Sequence, residues 1–344
     1  MQIILKPNSS TCNNNCDYCF YKNKPNRGII DEKTLLAYYQ QSVIAHKFFG
    51  FSTVNFSFQG GEPTLLGLDF FKRAIKLQKN INCTNSLQTN GILLNEEWCK
   101  FLKSNNFLVG ISIDGPKELH EKHRKNFEQT IKGLRLLHKH KIPFNALVCL
   151  HEDNINNPIQ IYDFLVKNNV VYIQFIPIVN ENPFPSVEYG NFMIEIFNKW
   201  FSRDFGKIFI HDFEQCLQII IGKSPTQCIY RNYCGHNPVL EANGDLYSCD
   251  HFVTDDYKLG NIHKESILEL LNSPKQIAFG KAKANVSSNC KSCKLFYICK
   301  GGCPKNRKNK LNCLCEGNKI FIEYILSNFN KIIEKISIHS SLLP

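Results

Sequence analysis

The stretch Cys12-Asn-Asn-Asn-Cys16-Asp-Tyr-Cys19 directly follows the first predicted strand, Ile3–Lys6. Three thiolates in so short a segment are suited to holding one metal cluster, and three ligands on a 4Fe–4S cube leave one iron open, whereas electron-transfer clusters normally have four cysteine ligands. The alternative, a zinc knuckle, needs a fourth Cys or His nearby. The next cysteine is Cys83, on a separate unit. The triplet therefore predicts an open cluster.

A second motif, Phe58-Gln59-Gly60-Gly61-Glu62-Pro63, follows the second predicted strand, Val54–Phe58. Two glycines allow a backbone to approach a ligand closely, and the carboxylate beside them is suited to holding an ammonium group. Alone, the motif is also compatible with an ordinary βα turn. Because the carboxyl ends of parallel strands meet at one edge of a sheet, the two motifs together predict a pocket for an amino-acid-like cofactor.

Up to about residue 205, strand-like and helix-like patterns alternate. The predicted strands are Ile3–Lys6, Val54–Phe58, Asn85–Thr89, Val109–Ile113, Phe144–Leu150 and Tyr172–Val179. The predicted helices are Asp31–His46, Leu68–Lys79, Glu96–Ser104, Phe127–His140, Ile155–Lys167 and Val187–Phe201, with Asp31 and Asn95 as N-caps. Six βα units imply parallel strands with right-handed crossovers. Since a closed barrel needs eight units, the predicted fold class is α/β, with a partial, open (β/α)6 TIM-like barrel.

Beyond about residue 222 the pattern changes to short hairpins and closely spaced cysteines. Asn243-Gly244 lies between two alternating runs and predicts a two-residue hairpin turn with positive φ at both positions. A short helix is expected at Ser266–Leu271 and a final helix from about Asn318 to Ile336. The predicted domains are a barrel at 1–221, a cysteine-rich domain at 222–317 and a terminal helix at 318–344.

Composition narrows the class of protein. The chain has 344 residues, a formal net charge of +11 and 16 cysteines, and its 43% hydrophobic and 21% charged residues exclude a disordered chain. The sequence shows no signal peptide pattern and no apolar run of about 18 residues, so we expect no membrane span. In the reducing cytoplasm, the expected location, so many thiols indicate metal or redox work. The charge alone is compatible with a nucleic-acid partner, an acidic partner or a Lys-rich surface.

The two motifs together resemble the radical S-adenosylmethionine (SAM) superfamily. The resemblance extends to SFQGGEPTL, LQTNG, VGISIDGPKELHEKHRK, the cysteine-rich C-terminal region and the terminal LCEG, all of which resemble the anaerobic sulfatase-maturating enzymes. It implies that Cys12, Cys16 and Cys19 hold the cluster that chelates SAM. It also implies a set of SAM-pocket residues: Tyr21, Gly60, Gly61, Glu62, Ser112, Arg124 and Val179. For Val179, plain core packing is the alternative.

The C-terminal cysteines resemble a twitch-and-SPASM extension, which holds two auxiliary 4Fe–4S clusters. The resemblance assigns Cys228, Cys234, Cys249 and Cys303 to one cluster and Cys290, Cys293, Cys299 and Cys315 to the other. A zinc ribbon is the alternative for this spacing. Cys313 competes with Cys315 as the last ligand, and the family pattern favours Cys315. Of the remaining cysteines, Cys83, Cys99, Cys149 and Cys216 are expected to be buried small hydrophobic residues.

The resemblance implies a protein-modifying oxidoreductase. SAM is cleaved to a 5′-deoxyadenosyl radical, which abstracts a hydrogen atom from a Cys or Ser side chain of a sulfatase, and the product is formylglycine. Asp250, directly after Cys249, is the implied general base. The implied partners are a sulfatase or other peptide substrate and a small electron donor such as flavodoxin or ferredoxin, with no nucleic acid and no membrane, and a monomer is expected. Three anionic clusters would offset about five of the positive charges, which weakens the case for nucleic acid.

Two loops separate this sequence from the usual family pattern, which keeps other functions open. HRKN passes directly to FEQT, and ENPFPSVEYG is a short connection after the sixth strand. Since such loops set peptide specificity, the main alternative is a SPASM peptide maturase that forms thioether or other cross-links in a ribosomal peptide. An iron–sulfur electron-transfer protein and a nucleic-acid-modifying radical enzyme are the remaining alternatives.

Overall fold

The computed structural model describes residues 2–179 and 184–341, and side chains up to residue 337. The strands are β1 Ile3–Lys6, β2 Val54–Phe58, β3 Cys83–Thr89, β4 Phe107–Ser112, β5 Phe144–Leu150, β6 Tyr172–Pro177, β7 Phe209–Ile210, β8 Val239–Glu241, β9 Asp245–Tyr247, β10 Lys258–Asn261, β11 Arg307–Lys308 and β12 Leu311–Asn312.

The α-helices are α1 Glu32–Phe48, α2 Gly67–Leu77, α3 Glu96–Ser104, α4 Lys117–His123, α5 Phe127–Lys139, α6 Pro158–Lys167, α7 Ser186–Lys199, α8 His211–Ile220, α9 Ile267–Leu271, α10 Pro274–Ala282, α11 Ser288–Lys291, α12 Phe296–Cys299, α13 Cys315–Ser327 and α14 Phe329–Ser341. In the first 200 residues, the α-helices follow the strands in the predicted order, with one addition: α4, between β4 and α5, is a helix that the sequence did not predict.

The chain forms two compact units, and both are discontinuous in sequence. The first unit comprises Met1–Ile113, Lys117–Leu147 and Tyr233–Ala282. The second comprises Asp114–Pro116, Val148–Asn232 and Lys283–Pro344. The predicted domain boundaries at residues 221 and 317 stay a prediction.

The first unit contains a parallel sheet in the order β8-β1-β2-β3-β4-β5, with β9 and β10 added antiparallel beyond β8. Ile3 pairs with Phe56, and Val109 pairs with Phe144. The expected parallel pairing of successive βα units is therefore confirmed. The sequence did not predict that β8 pairs with β1, where Lys6 lies opposite Glu241.

Apolar residues fix this sheet because both of its faces are covered, as is usual for parallel strands. All four residues of β1 are buried. The ring centroid of Phe56 in β2 lies 4.5 Å from the ring centroid of Tyr39 in α1. The Asp31 side chain accepts a hydrogen bond from the Thr34 amide and caps α1, which confirms the predicted N-cap.

The hairpin between β8 and β9 differs from the prediction in its loop. Ala242, Asn243 and Gly244 form three connecting residues, and the Gly244 amide donates to the Glu241 carbonyl over 2.9 Å. Gly244 has φ +85°, the left-handed conformation that closes a three-residue hairpin loop. The predicted two-residue turn is therefore wrong, although the hairpin itself is confirmed.

The second unit packs α7 against α13. The backbones approach closely: a Cβ atom added at Gly317 would lie 1.9 Å from the Ser186 carbonyl oxygen. The predicted single terminal helix is wrong, because α13 ends before Asn328 and α14 follows. The Asn328 side-chain amide donates to the Tyr324 carbonyl over 2.9 Å and so competes with the Asn328 backbone amide, which donates to the same carbonyl over 3.2 Å.

Two features complete the description of the fold. Among the described residues, no helix combines the length and the apolar character needed to cross a membrane. The connection ENPFPSVEYG, which the sequence predicts to be short, begins in the segment 180–183, and that segment lies outside the described residues, as do residues 342–344 of the predicted terminal helix.

Candidate active site

The cysteine triplet lies in the loop between β1 and α1, in the first unit. Cys16 is 8% exposed, whereas Cys12 and Cys19 are exposed. The Cys19 amide donates to the Cys16 carbonyl over 3.2 Å, and the Asp17 amide donates to the His123 carbonyl over 3.0 Å. These bonds hold the loop against the end of α4 and leave two of the three thiols open to solvent.

The loop between β1 and α1, called the triplet loop below, lies so close to the glycines of the second motif that it leaves no room for side chains there. A Cβ atom added at Gly61 would lie 2.0 Å from the Thr11 carbonyl oxygen, and Gly60 has φ +133°. The Gly61 amide donates to Ser9 and the Glu62 amide donates to Thr11, over 2.8 and 2.9 Å. The two motifs are therefore joined by backbone hydrogen bonds, and a side chain at Gly61 has no room.

The Glu62 carboxylate is buried, and both of its oxygens accept hydrogen bonds from other residues of the chain. Its Oε1 accepts from the amide and hydroxyl of Thr64 and from the Thr89 hydroxyl, and its Oε2 accepts from the Asn90 amide over 2.7 Å. Burial raises the pKa of Glu62, and these hydrogen bonds lower it in part. Glu62 thus joins the loop after β2 to the end of β3 and the loop that follows it by hydrogen bonds. Its contact with a cofactor stays a prediction.

The other predicted pocket residues have different surroundings. Ser112, the last residue of β4, is 7% exposed, and Arg124 is 8% exposed. Arg124 Nε donates to the Tyr18 hydroxyl over 2.9 Å, so its guanidinium rests on the triplet loop. Val179 belongs to the second unit, where it lies half-buried after β6.

Tyr21 supplies a test of whether the triplet region fits a bound cofactor. Its side chain is 3% exposed, and its hydroxyl has no hydrogen-bond partner among the described residues. A buried hydroxyl without a partner is unfavourable, so it points to a group that is not part of the chain. Exposed thiols, a glycine backbone and an unsatisfied hydroxyl fit a polar organic cofactor beside an open metal cluster.

Asp250 lies in the first unit, at the start of a 3₁₀ turn, Asp250–Phe252. Its Oδ1 is 2.7 Å from Nζ of Lys6, whose side chain is only 3% exposed. Glu241 is 1% exposed, and burial is the main reason why its pKa is raised to about 7. Sequence reasoning missed Lys6 and Glu241. The available signal was a lysine at the end of the apolar run Ile-Ile-Leu-Lys, because a strand that ends there places the lysine at the carboxyl edge of the sheet.

Four of the predicted C-terminal ligands meet in the second unit. They line one cavity of about 70 Å³, together with Lys319: Cys290, Cys293, Cys299 and Cys315. Burial raises the pKa of the Cys299 thiol, and the neighbouring Cys293 and Cys290 thiols raise it further. Thiols that oppose one another's ionisation are suited to a metal centre, because a bound cation deprotonates them. Cys313 does not line this cavity.

The other predicted set is divided between the units and is described separately in each. In the second unit, the Cys303 thiol has a pKa raised by burial and by the neighbouring Cys228. In the first unit, the Cys234 amide donates to Gly280, and the Cys249 carbonyl accepts from Phe252. Of the cysteines expected to be buried for packing, Cys99, Cys149 and Cys216 are buried, and Cys83 is half-buried.

Two family models match the chain. The radical SAM superfamily model matches residues 9–165, and a model described as an iron–sulfur cluster-binding domain, SPASM, matches residues 233–294. The first match includes the triplet and the glycine motif, and the second includes Cys234, Cys249, Cys290 and Cys293.

The chain is also similar to curated proteins and to solved structures. It is 34% identical to a serine-type anaerobic sulfatase-maturating enzyme of Bacteroides thetaiotaomicron, over 94% of this chain and 89% of that protein. It is 33% identical to a cysteine-type enzyme of Clostridium novyi, over 98% of each. The structure of native anSMEcpe with bound AdoMet and the Cp18Cys peptide has a TM-score of 0.90 and 32% identity, over 97% of this chain and 99% of that chain. The α/β fold class is thereby confirmed, and the chain is a radical SAM enzyme that belongs to the anaerobic sulfatase-maturating enzymes.

Proposed function

We propose that this enzyme oxidises a Cys or Ser side chain of a sulfatase to formylglycine. The observation that carries this proposal is the similarity over nearly the whole chain to relatives of both the serine and the cysteine type. The peptide in the anSMEcpe structure supports a polypeptide substrate for the present chain as well.

The proposed cofactors are SAM and three 4Fe–4S clusters. The SAM-chelating cluster would be held by Cys12, Cys16 and Cys19, and the unsatisfied Tyr21 hydroxyl would face the cofactor. The four thiols that line the cavity of the second unit would hold an auxiliary cluster. The remaining set, Cys228, Cys234, Cys249 and Cys303, is proposed on its sequence motif alone. When bound, these groups supply the abstraction of a hydrogen atom from the substrate carbon and the uptake of one further electron.

The chain's own contribution to the chemistry is the acceptance of a proton. Oxidation of a thiol or an alcohol to the aldehyde level removes a hydrogen atom from carbon, one further electron, and a proton from sulfur or oxygen. We assign that proton to Asp250, whose carboxylate is held at the carboxyl edge of the sheet by Lys6. For a cysteine substrate, water then hydrolyses the resulting thioaldehyde to the aldehyde, and the sulfur leaves as hydrogen sulfide.

The proposal includes the partners and the location. A small one-electron carrier such as flavodoxin or ferredoxin would supply the priming electron, and the enzyme would act as a monomer. A cytoplasmic location is proposed because none of the sixteen cysteines is paired in a disulfide, which is the state that a reducing compartment preserves.

The test is an anaerobic incubation of the reconstituted enzyme with SAM, a reductant and two peptides. The peptides carry a sulfatase-type sequence and differ only in Cys or Ser at the target position. Mass spectrometry with an aldehyde-trapping reagent is expected to show formylglycine in at least one of them. 5′-Deoxyadenosine without aldehyde in either peptide would contradict the proposal, and an intramolecular thioether would establish the cross-linking alternative.

A further inference from the structure

Lys6 is a buried cation at the carboxyl end of β1. The residue is 2% exposed, and its Nζ lies 2.7 Å from Oδ1 of Asp250. Burying an ammonium group is costly unless a charged partner meets it at hydrogen-bonding distance. Among the described residues, Asp250 is the group that forms an ion pair with Lys6.

The groups around Lys6 restrict its position further. Glu241 lies opposite Lys6 in the register of β1 and β8, and the Lys6 charge lowers the pKa of this carboxyl against the larger effect of burial. On another side, the ring centroid of Tyr21 is 4.4 Å from Nζ, and that of Phe20 is 5.9 Å away. The ammonium group therefore contacts the Asp250 carboxylate and an aromatic face, and Glu241 is its neighbour on the adjacent strand.

We propose that Lys6 is the positioning residue of the proton acceptor: its ammonium group fixes Oδ1 of Asp250 and leaves Oδ2 to receive the substrate proton. The inference rests on the proposed function, because it assigns a role to Lys6 in that reaction. In this reaction the thiol or hydroxyl proton goes to Oδ2 of Asp250. The Asp250 side chain retains 18% exposure, so it is accessible while one of its oxygens is held.

A purely structural role explains this ion pair poorly. Replacing a buried ion pair by apolar residues is often neutral or stabilising, so the fold alone does not require a charge here. Lys6 also lies at the carboxyl edge of the parallel strands, where ligands of such sheets bind. An ion pair at this edge holds one oxygen of the Asp250 carboxylate close to the ammonium group, 2.7 Å from Nζ.

The experiment measures the aldehyde formed per 5′-deoxyadenosine in the reconstituted enzyme, together with the iron content and the affinity for SAM. Lys6→Met is expected to lower the product ratio at least about tenfold, with iron and SAM affinity unchanged, since it removes the holding charge but keeps the apolar stem. Lys6→Arg is expected to lie closer to the wild type than Lys6→Met, because it keeps the charge. Lys258→Met, which breaks a 2.8 Å Lys–Asp pair with Asp245 in the same unit, is the matched control and is expected to stay within about twofold.

A double-variant cycle decides whether Lys6 acts through Asp250. If it does, Lys6→Met combined with Asp250→Asn is no worse than Asp250→Asn alone. Additive losses, an unchanged ratio in Lys6→Met, or a parallel loss of iron and 5′-deoxyadenosine in that variant would each overturn the inference alone. A wild-type enzyme that makes no aldehyde from either peptide would instead refute the proposed function and this inference with it.

Discussion

The two thiol-rich regions differ in how their sulfur atoms are presented. The triplet loop of the first unit has three thiols, and Cys12 and Cys19 are exposed. In the second unit, four thiols line one cavity; Cys290 is only 6% exposed, and Cys293, Cys299 and Cys315 are half-buried. The comparison teaches that donor number and exposure distinguish two tasks. Three thiols, two of them exposed, are suited to a cluster that also reacts with a ligand, whereas four thiols around one cavity, none of them exposed, are suited to a fully ligated cluster.

The largest expected effect follows from removing one thiol of the cysteine triplet in the first unit. Cys16→Ala should reduce 5′-deoxyadenosine formation by on the order of a millionfold, the lower end of enzymatic rate accelerations, because the cluster proposed at the triplet would initiate the radical reaction. Iron content should fall from about twelve to about eight atoms per chain. A variant that keeps a tenth of the wild-type 5′-deoxyadenosine rate would contradict the assignment.

The four-thiol cavity of the second unit should respond differently to the loss of a thiol. Cys313 and Cys315 provide a matched pair of variants for this test. Cys315→Ala should lose about four irons per chain and most of the aldehyde product, while 5′-deoxyadenosine formation continues. Cys313→Ala should keep its iron, because Cys313 does not line the cavity. Iron analysis of both variants checks this, and loss of iron in Cys313→Ala instead would reverse the assignment of the last ligand.

Gly61, beside the triplet loop, and Gly317, in α13, test whether the backbones of the two thiol-rich regions are constrained independently of each other. An added Cβ would lie 2.0 Å from Thr11 at Gly61 and 1.9 Å from Ser186 at Gly317. Gly61→Ala should weaken SAM binding about 5- to 150-fold, the equivalent of about 1–3 kcal/mol of overpacking, and should leave the auxiliary iron intact. Gly317→Ala should destabilise the start of α13 and lower the auxiliary iron instead, with SAM binding unchanged. Equal effects of both variants on SAM binding would argue against separate constraints.

The smallest expected effect concerns a carboxyl group of the second unit, in α8. Burial raises the pKa of Asp212 to about 7, so the folded chain keeps a proton that the unfolded chain releases near pH 4. The contribution of Asp212 to stability is therefore lost as the pH rises from about 4 to 7. Asp212→Asn should abolish this part of the pH dependence and be more stable than the wild type at pH 8, by up to a few kcal/mol.

Denaturation midpoints measured between pH 4 and pH 8 check this expectation. Asp69→Asn is the control, because that side chain is 86% exposed and its replacement should change stability by less than about 0.5 kcal/mol. An Asp212→Asn variant with the pH profile of the wild type would show that the Asp212 carboxyl does not titrate in this range.

Sequence patterns predicted the local elements better than the long-range pairings. The bounds of β1, β2, β5 and α3 agree with the prediction at both ends. The pairing of β8 with β1 was missed, because a three-residue strand carries no detectable period and its partner is remote in the chain. The break at Asn328 was missed because the apolar pattern continues through it.

The candidate site shows the same limit. The cysteines and glycines were found because their spacing is itself the signal, and four of the cysteines do line one cavity. Lys6 was missed because a lysine at the end of a strand normally reaches solvent. Only the pairing of β1 with β8 and the turn after β9 show that this ammonium is buried against Asp250.

The pairing of β1 with β8 also has a consequence for how the chain folds. Ile4 is paired with Val239, which lies far along the chain, so one edge of β1 stays unpaired during synthesis until that segment has been made. The ion pair between Lys6 and Asp250 spans a still longer stretch of chain and forms only after Asp250 has been made. A chain that lacks β8 and the turn after β9 would therefore expose an unpaired strand edge and lack the proposed proton acceptor.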